Sequence, residues 1–319
     1  MNNDKITANI AEKIKKEAAR VVVGQDELLQ LLLVCLFSGG HVLIEGVPGL
    51  GKTLAVRTLA TIMDVDFHRI QFTPDMMPSD IIGTNIYDMN TQTFHLKKGP
   101  LFTSFLLADE INRTPPKTQS ALLEAMEEAR VSIDGTGYPL EYPFMVFATQ
   151  NPIEFEGTYP LPEAQLDRFL MKLLISYPNI EEEKKLLMNY HKGFNAKDFG
   201  NIQLNKILNS DVIRQCKKEI ENVSVEESII NYIMAIIAAT RQSPNLLLGA
   251  SPRASIALMT AAKTLACIEE RDYVIPDDIK YLCAPILRHR LIVAPEAEID
   301  GVKADDVIIQ ILNHVKVPR

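Results

Sequence analysis

Apolar positions recur at helical spacing from Asp4 to Arg20, where Ile6, Ile10 and Ile14 fall on one face. A turn at Val21–Gln25 separates this helix from a second, more apolar one running to Phe37, with Gln25 or Asp26 at its start. The pattern then changes. Five short apolar runs follow: His41–Glu45, Phe67–Phe72, Ser104–Asp109, Phe144–Thr149 and Phe169–Ser176. Continuous runs of this length, without strict alternation, suit strands buried on both faces of a parallel sheet. Helix-like segments between them predict an α/β layer fold. Tyr177-Pro178-Asn179 ends the alternation. No convincing strand is read beyond it, and Glu181–His191, Ser210–Ile220, Val225–Thr240, Pro252–Glu270 and Pro276–Leu287 read as helices. Ser251-Pro252 and Pro276-Asp277-Asp278 are helix-start signals. The division is placed at residue 178: an α/β domain over 1–178 and an all-α lid over 179–319.

Phe72–Gly99 is too long for a plain connection and predicts an insertion with short elements of its own. Val131–Tyr142, with Asp134-Gly135 at its middle, predicts a β-hairpin. Each is either a plain structural loop or a surface that meets a partner.

Composition narrows the function classes. Asp and Glu number 41 against 33 Lys and Arg, for a net charge of −8, which disfavours a nucleic-acid binder. Cys35, Cys216, Cys267 and Cys283 form no CxxC pair, and Cys35 and Cys267 sit in apolar runs, a reducing-compartment pattern. The polar N-terminus is no signal peptide, and the apolar run Leu28–Phe37 is too short to span a bilayer. The expected location is the cytoplasm.

The chemistry concentrates at strand ends. Gly46-Val47-Pro48-Gly49-Leu50-Gly51-Lys52-Thr53 matches G-x-x-x-x-G-K-[ST] and lies between a strand and a helix. Glycines let successive N–H groups curl around a phosphate, Lys52 reaches the β- and γ-phosphates, and the Thr53 hydroxyl binds Mg²⁺. The helix that follows, entered through Leu54, aims its positive end at the same anion. The expected ligands are therefore ATP and Mg²⁺. Phe105–Glu110 is an apolar strand ending in two carboxylates: Asp109 for the metal through a water, and Glu110 to polarise the attacking water. Asn151, closing the run Phe147–Gln150, either positions that water or, with Pro152, opens a turn. The six histidines show no metal-ligand spacing, and His289, between Arg288 and Arg290, reads as packing or surface.

The order of these motifs, with Leu166-Asp167-Arg168-Phe169 and Ser251-Pro252-Arg253, resembles the AAA+ ATPases. Asp109–Arg113 followed by Pro115–Gln119 is similar to the MoxR group, as are Pro78–Ile81, Gly99–Phe102, Gly157–Gln165 and Leu287–Arg290. The resemblance covers nearly the whole chain. It implies that Arg168 is an arginine finger serving a neighbouring subunit, and that Arg253 is a second sensor reaching the γ-phosphate of its own chain from the lid. It also implies that Val23, Gly24 and Gln25 line the adenine pocket. Arg113 is a further candidate at the subunit interface. A ring, here a homo-hexamer, is implied too. So is chaperone-like remodelling or maturation of a protein complex, with possible metal-cofactor insertion and a von Willebrand factor A domain partner. A DNA-acting motor and a nucleotide-gated scaffold with little hydrolysis stand as alternatives.

Overall fold

In the computed structural model, which describes residues 5–47, 49–151, 157–195 and 202–318, helices α1 (Ile6–Ala18) and α2 (Asp26–Ser38) lead into strand β1 (His41–Glu45). Helix α3 (Lys52–Ile62) joins β1 to β2 (Phe67–Gln71). The segment before β5 (Phe105–Asp109) holds a short helix α4 (Pro78–Ile82) and a hairpin of β3 (Gly83–Asp88) and β4 (Thr93–Lys98). After a 3-10 turn (Ile111–Arg113) come α5 (Pro116–Glu128) and a hairpin of β6 (Arg130–Ile133) and β7 (Thr136–Pro139). Then follow β8 (Met145–Gln150), α6 (Glu163–Leu166) and β9 (Phe169–Leu174). The remainder is α7 (Ile180–His191), α8 (Ser210–Glu221), α9 (Glu227–Gln242), β10 (Leu246–Leu248), α10 (Pro252–Ile268), α11 (Pro276–Leu287), β11 (Ile292–Val293), α12 (Pro295–Ile299) and α13 (Ala304–His314).

The five apolar runs form one parallel sheet in the order β2-β5-β8-β1-β9. Alternate residues of its inner strands enter two separate cores. Val42, Ile44, Phe105, Leu107 and Phe147 pack with α1, α2 and α3. Leu43, Leu106, Ala108, Val146 and Ala148 pack with α5 and the β6–β7 hairpin. Burial on both faces explains why these strands read as continuous apolar runs. The run at Phe67–Phe72 differs. It is an edge strand in which His68, Arg69 and Gln71 are exposed, and its polar residues reach the site described below.

One other expectation changes. Beyond residue 178 there is a strand pair, β10 with β11, antiparallel and only two to three residues long, too short to leave a periodicity. Helices α8, α9, α10, α11 and α13 share the core formed by α1, α2 and the first sheet face. As a result, the start of α10 lies at the amino edge of the sheet.

The motif Leu287–Arg290 fixes that arrangement. As an edge strand, β9 has outer carbonyls that no strand pairs. Arg288 Nη1 donates to the Lys172 carbonyl at 3.2 Å, and His289 Nε2 donates to that of Phe169 at 3.0 Å. The buried Arg290 donates to the carbonyls of Phe169 (2.7 Å) and Leu170 (3.1 Å) and, through Nε, to the Asp167 carboxylate (2.6 Å). The end of α11 thus clamps the segment that carries Arg168.

Two histidines are buried as neutral rings. His41 accepts the Val146 N–H on Nδ1 at 3.0 Å and donates from Nε2 to the Met126 carbonyl at 2.9 Å. Burial pushes its pKa down from 6.5 to about 4. Burial, and then the Arg290 charge beside it, holds His289 well below its ordinary value. Both unfolded-state values are higher, so the unfolded chain binds more protons as the pH falls from about 6.5 towards 4. Stability from these rings is complete above that window and is lost on acidification through it. His41 alone accounts for about 2 kcal/mol between pH 7 and pH 5. Denaturant midpoints followed across that range are expected to fall, and to fall less in His41→Gln. Equal slopes in both proteins would remove His41 from this role.

Candidate nucleotide site

Because the sheet is parallel, its strands deliver their polar ends to one edge. Gly46 follows β1, Asp109 and Glu110 close β5, Gln150-Asn151 closes β8, and Gln71 closes β2. Strand β8 lies between β1 and β5, so Asn151 stands between the phosphate loop and the carboxylate pair.

The loop runs from Gly46 and Val47 through Gly49, Leu50 and Gly51 into Lys52, Thr53 and Leu54 at the start of α3; Pro48 lies outside the described residues. Gly51 caps the helix in the left-handed region (φ 78°), as the turn needs for its N–H groups to face inward. Lys52 is half-buried and donates from Nζ to the Gly46 carbonyl. Burial lowers its pKa, while Asp109, Glu110 and Glu45 pull it back up. Its bond to Gly46 keeps the amine aimed at the loop. Thr53 and the Asp109 carboxylate are hard oxygen donors, the chemistry that magnesium takes.

Asp109 and Glu110 are held by groups that the sequence reading passed over. Thr149 on β8 donates its hydroxyl to Asp109 Oδ1 at 2.5 Å and accepts the Glu110 N–H at 2.9 Å. Arg69 on β2 donates to Asp109 Oδ2 from Nη2 (2.7 Å) and Nε (3.1 Å). Gln71 Nε2 donates to Glu110 Oε2 at 2.7 Å, and Arg113 Nε lies 3.0 Å from the same oxygen. Glu110 itself sits in the left-handed region (φ 56°, ψ 50°), unusual for a residue with a side chain and a mark of functional sites. A signal for Arg69 and Gln71 existed in β2, where they alternate with buried Ile70 and Gln71 pairs in register with Asp109.

Gly24, Gln25 and the residues Leu173–Ser176, Tyr281, Ala284, Pro285 and Arg288 line a cavity of about 320 Å³, a size that suits a small ligand. Gln25 Nε2 donates to the Leu50 carbonyl of the loop, and its buried Oε1 has no partner. Gly24 has φ 73°, a left-handed conformation that strains any residue with a side chain, and a Cβ there would lie 2.7 Å from the Glu182 carboxyl carbon. Val23 precedes this turn without lining the cavity.

Arg168 and Arg253 lie elsewhere. His41 at the start of β1 pairs with Phe169, and Glu45 at its end pairs with Leu174. Arg168, one residue before Phe169, is therefore just beyond the amino end of β1, about 20 Å of strand away from Gly46. Arg253 is beside it: both guanidiniums bind Glu127, Arg168 Nε at 3.0 Å and Arg253 Nη2 at 2.9 Å. The Arg253 bond, then the two arginine charges, lower the Glu127 pKa. Both arginines line a cavity of about 310 Å³ with Gly39, Gly40 and His41, residues that precede or begin β1. The expectation that Arg253 reaches the phosphates of its own chain is not met. Helix α10 packs on α2 at the far side of the sheet instead of folding over the loop.

Comparison with known proteins places the chain in a family. The family described as "ATPase family associated with various cellular activities (AAA)" matches residues 41–171, and the "AAA lid domain" family matches 238–311. Chaperone MoxR1 of Mycobacterium tuberculosis is 45% identical over 95% of this chain and 81% of its own. Protein MoxR of Methylorubrum extorquens is 30% identical over 97% and 95%. The crystal structure of a putative ATPase from Cytophaga hutchinsonii superposes with a TM-score of 0.89 at 46% identity, over 99% of this chain and 98% of the other.

Proposed function

The chain belongs to the MoxR family of AAA+ ATPases, and from that premise we propose that it is a ring-forming, magnesium-dependent ATP hydrolase whose sites are each shared by two subunits. One observation carries this reading: the phosphate loop and Glu110 sit at one edge of the sheet, while Arg168 and Arg253 sit together at the other. A chain with its arginines on the opposite edge completes a site only by offering them to a neighbour.

The parts then divide as follows. Residues 1–178 carry the nucleotide, and residues 179–319 carry Arg253 and the clamp on β9. Val23–Gln25 hold the base, Gly46–Leu54 the phosphates, and Thr53 and Asp109 the magnesium ion. That ion, when bound, neutralises charge on the β- and γ-phosphates. Glu110 takes a proton from the attacking water at a carboxylate oxygen, and Asn151 orients that water. Arg168 and Arg253 exchange Glu127 for the neighbour's γ-phosphate, and guanidinium charge there offsets the charge that develops as the bond breaks.

The output is chaperone-like work on a protein complex, a reading supported by the mycobacterial relative, which is named a chaperone. A von Willebrand factor A domain partner, metal-cofactor insertion and a hexameric ring belong to the same proposal. The client surface is the insertion. Ile86, Tyr87, Met89 and Phe94 on the β3–β4 hairpin are exposed, and Asn85 donates to Asp134 of the β6–β7 turn at 2.7 Å, which joins the two hairpins at this surface. No helix among the described residues is long and apolar enough to cross a membrane.

ATP turnover per subunit, measured across protein concentration, tests the reading. It is expected to rise with concentration as subunits meet. Turnover per subunit that is constant over the whole range would contradict a shared site.

A further inference from the structure

The bonds around Asp109 carry one more step, which rests on the reading of this edge as a magnesium–nucleotide site. Both oxygens of Asp109 are engaged within the chain: Oδ1 by the Thr149 hydroxyl at 2.5 Å, and Oδ2 by two nitrogens of Arg69 at 2.7 and 3.1 Å. Asp109 is nearly buried, with its side chain 12% exposed, so this pairing counts for more than a surface ion pair. The same Arg69 Nη2 donates to Gln71 Oε1 at 2.9 Å, which fixes the amide so that Nε2 meets Glu110 Oε2 at 2.7 Å. A single guanidinium therefore touches the metal-side carboxylate directly and the water-side carboxylate through one amide.

We propose that Arg69 is a positioning residue that serves as the built-in counter-cation of Asp109, competes with the divalent ion for that carboxylate, and ties the state of Glu110 to the outcome. With Arg69 on Oδ2, Asp109 is preset but neutralised, and Gln71 holds the Glu110 carboxylate. When a divalent ion takes the charge of Asp109, Arg69 loses the partner that orients it, and Gln71 loses the donor that orients its amide. Glu110 is then freed from one of its two restraints, leaving Arg113. Arg69 suits this exchange because it is half-exposed on an edge strand and can swing into solvent without opening a core. Strand β2 also runs straight into the 72–99 insertion, and the Phe72 N–H donates to the Asp109 carbonyl at 2.9 Å, so the insertion's first residue is anchored on the same aspartate.

The test uses Mn²⁺ as the probe, with its affinity for the full-length protein in saturating ADP read by electron paramagnetic resonance, a readout independent of turnover. Arg69→Gln removes the competitor and is expected to tighten Mn²⁺ about tenfold. Gln71→Leu leaves both Arg69 nitrogens on Asp109 and is expected to stay within about twofold of wild type, since it removes the amide between Arg69 and Glu110 and no partner of the Asp109 carboxylate. Unchanged or weaker Mn²⁺ binding in Arg69→Gln would overturn the proposal. So would an equal gain in Gln71→Leu, which would show that loosening the edge strand, not freeing Asp109, produces the effect. Failure of the underlying site reading looks different: wild type would then bind no ADP-dependent Mn²⁺ at all.

Discussion

Glu110→Gln lowers ATP turnover by about two to four orders of magnitude while ATP binding survives, the expected result when a general base is lost and its volume kept. The reason lies in where Glu110 sits. It is held one residue past the end of β5 in a left-handed conformation, with its N–H on Thr149 and its carboxylate on Gln71 and Arg113 at the edge of the sheet. Glutamine preserves the shape and accepts bonds from Gln71 and Arg113 through its oxygen, but it cannot accept a proton. The measurement is paired: turnover, and equilibrium binding of ATP. Retained turnover would move the base to another residue. Loss of binding together with turnover would mean that Glu110 supports the fold of the loop instead of the chemistry.

Arg168→Ala is expected to lower turnover by about three orders of magnitude or more, the range seen when an arginine is withdrawn from phosphoryl transfer. The loss is expected without loss of ATP affinity in the isolated subunit, because Arg168 does not touch its own chain's nucleotide loop. Its anchoring makes the interpretation clean. Arg290 and Asp167 hold the backbone on either side independently of the Arg168 side chain, so truncation removes one guanidinium and leaves the segment in place. Glu127 keeps Arg253 as a partner. Melting and ATP-binding curves that overlay wild type, beside turnover reduced by less than threefold, would take Arg168 out of the site.

The sequence made some parts of this site legible and hid others for a physical reason. The phosphate loop, the β5 carboxylates and the inner strands are local signals: backbone conformation and burial on both faces dictate consecutive residues, so the chain spells them out. The β6–β7 hairpin and the insertion before β5 were legible for the same reason, one through Asp134-Gly135 and the other through its length. What the reading missed depends on strand order. Arg69 meets Asp109 only because β2 is the neighbour of β5, and Thr149 meets it only because β8 is the other neighbour. The resemblance alone aims Arg253 at the phosphates of its own chain, since no local signal in the sequence fixes where α10 docks. The apolar faces of α2 and α10 instead pack on each other, which carries Arg253 to Glu127 and Arg168. The β10–β11 pair was too short to leave a pattern. The role of Leu287–Arg290 needed the knowledge that β9 is an edge strand with carbonyls to satisfy.

Mixing two inactive variants tests the shared site most directly. Lys52→Ala removes a subunit's own phosphate grip and leaves its arginines; Arg168→Ala removes the arginine and leaves the loop. Where the two meet in one orientation, an intact loop faces an intact Arg168. Turnover measured as the variants are titrated against each other at fixed total protein is expected to pass through a maximum well above either parent. A flat line at the level of the inactive parents, at concentrations where the mixed subunits demonstrably assemble, would contradict a site built from two chains.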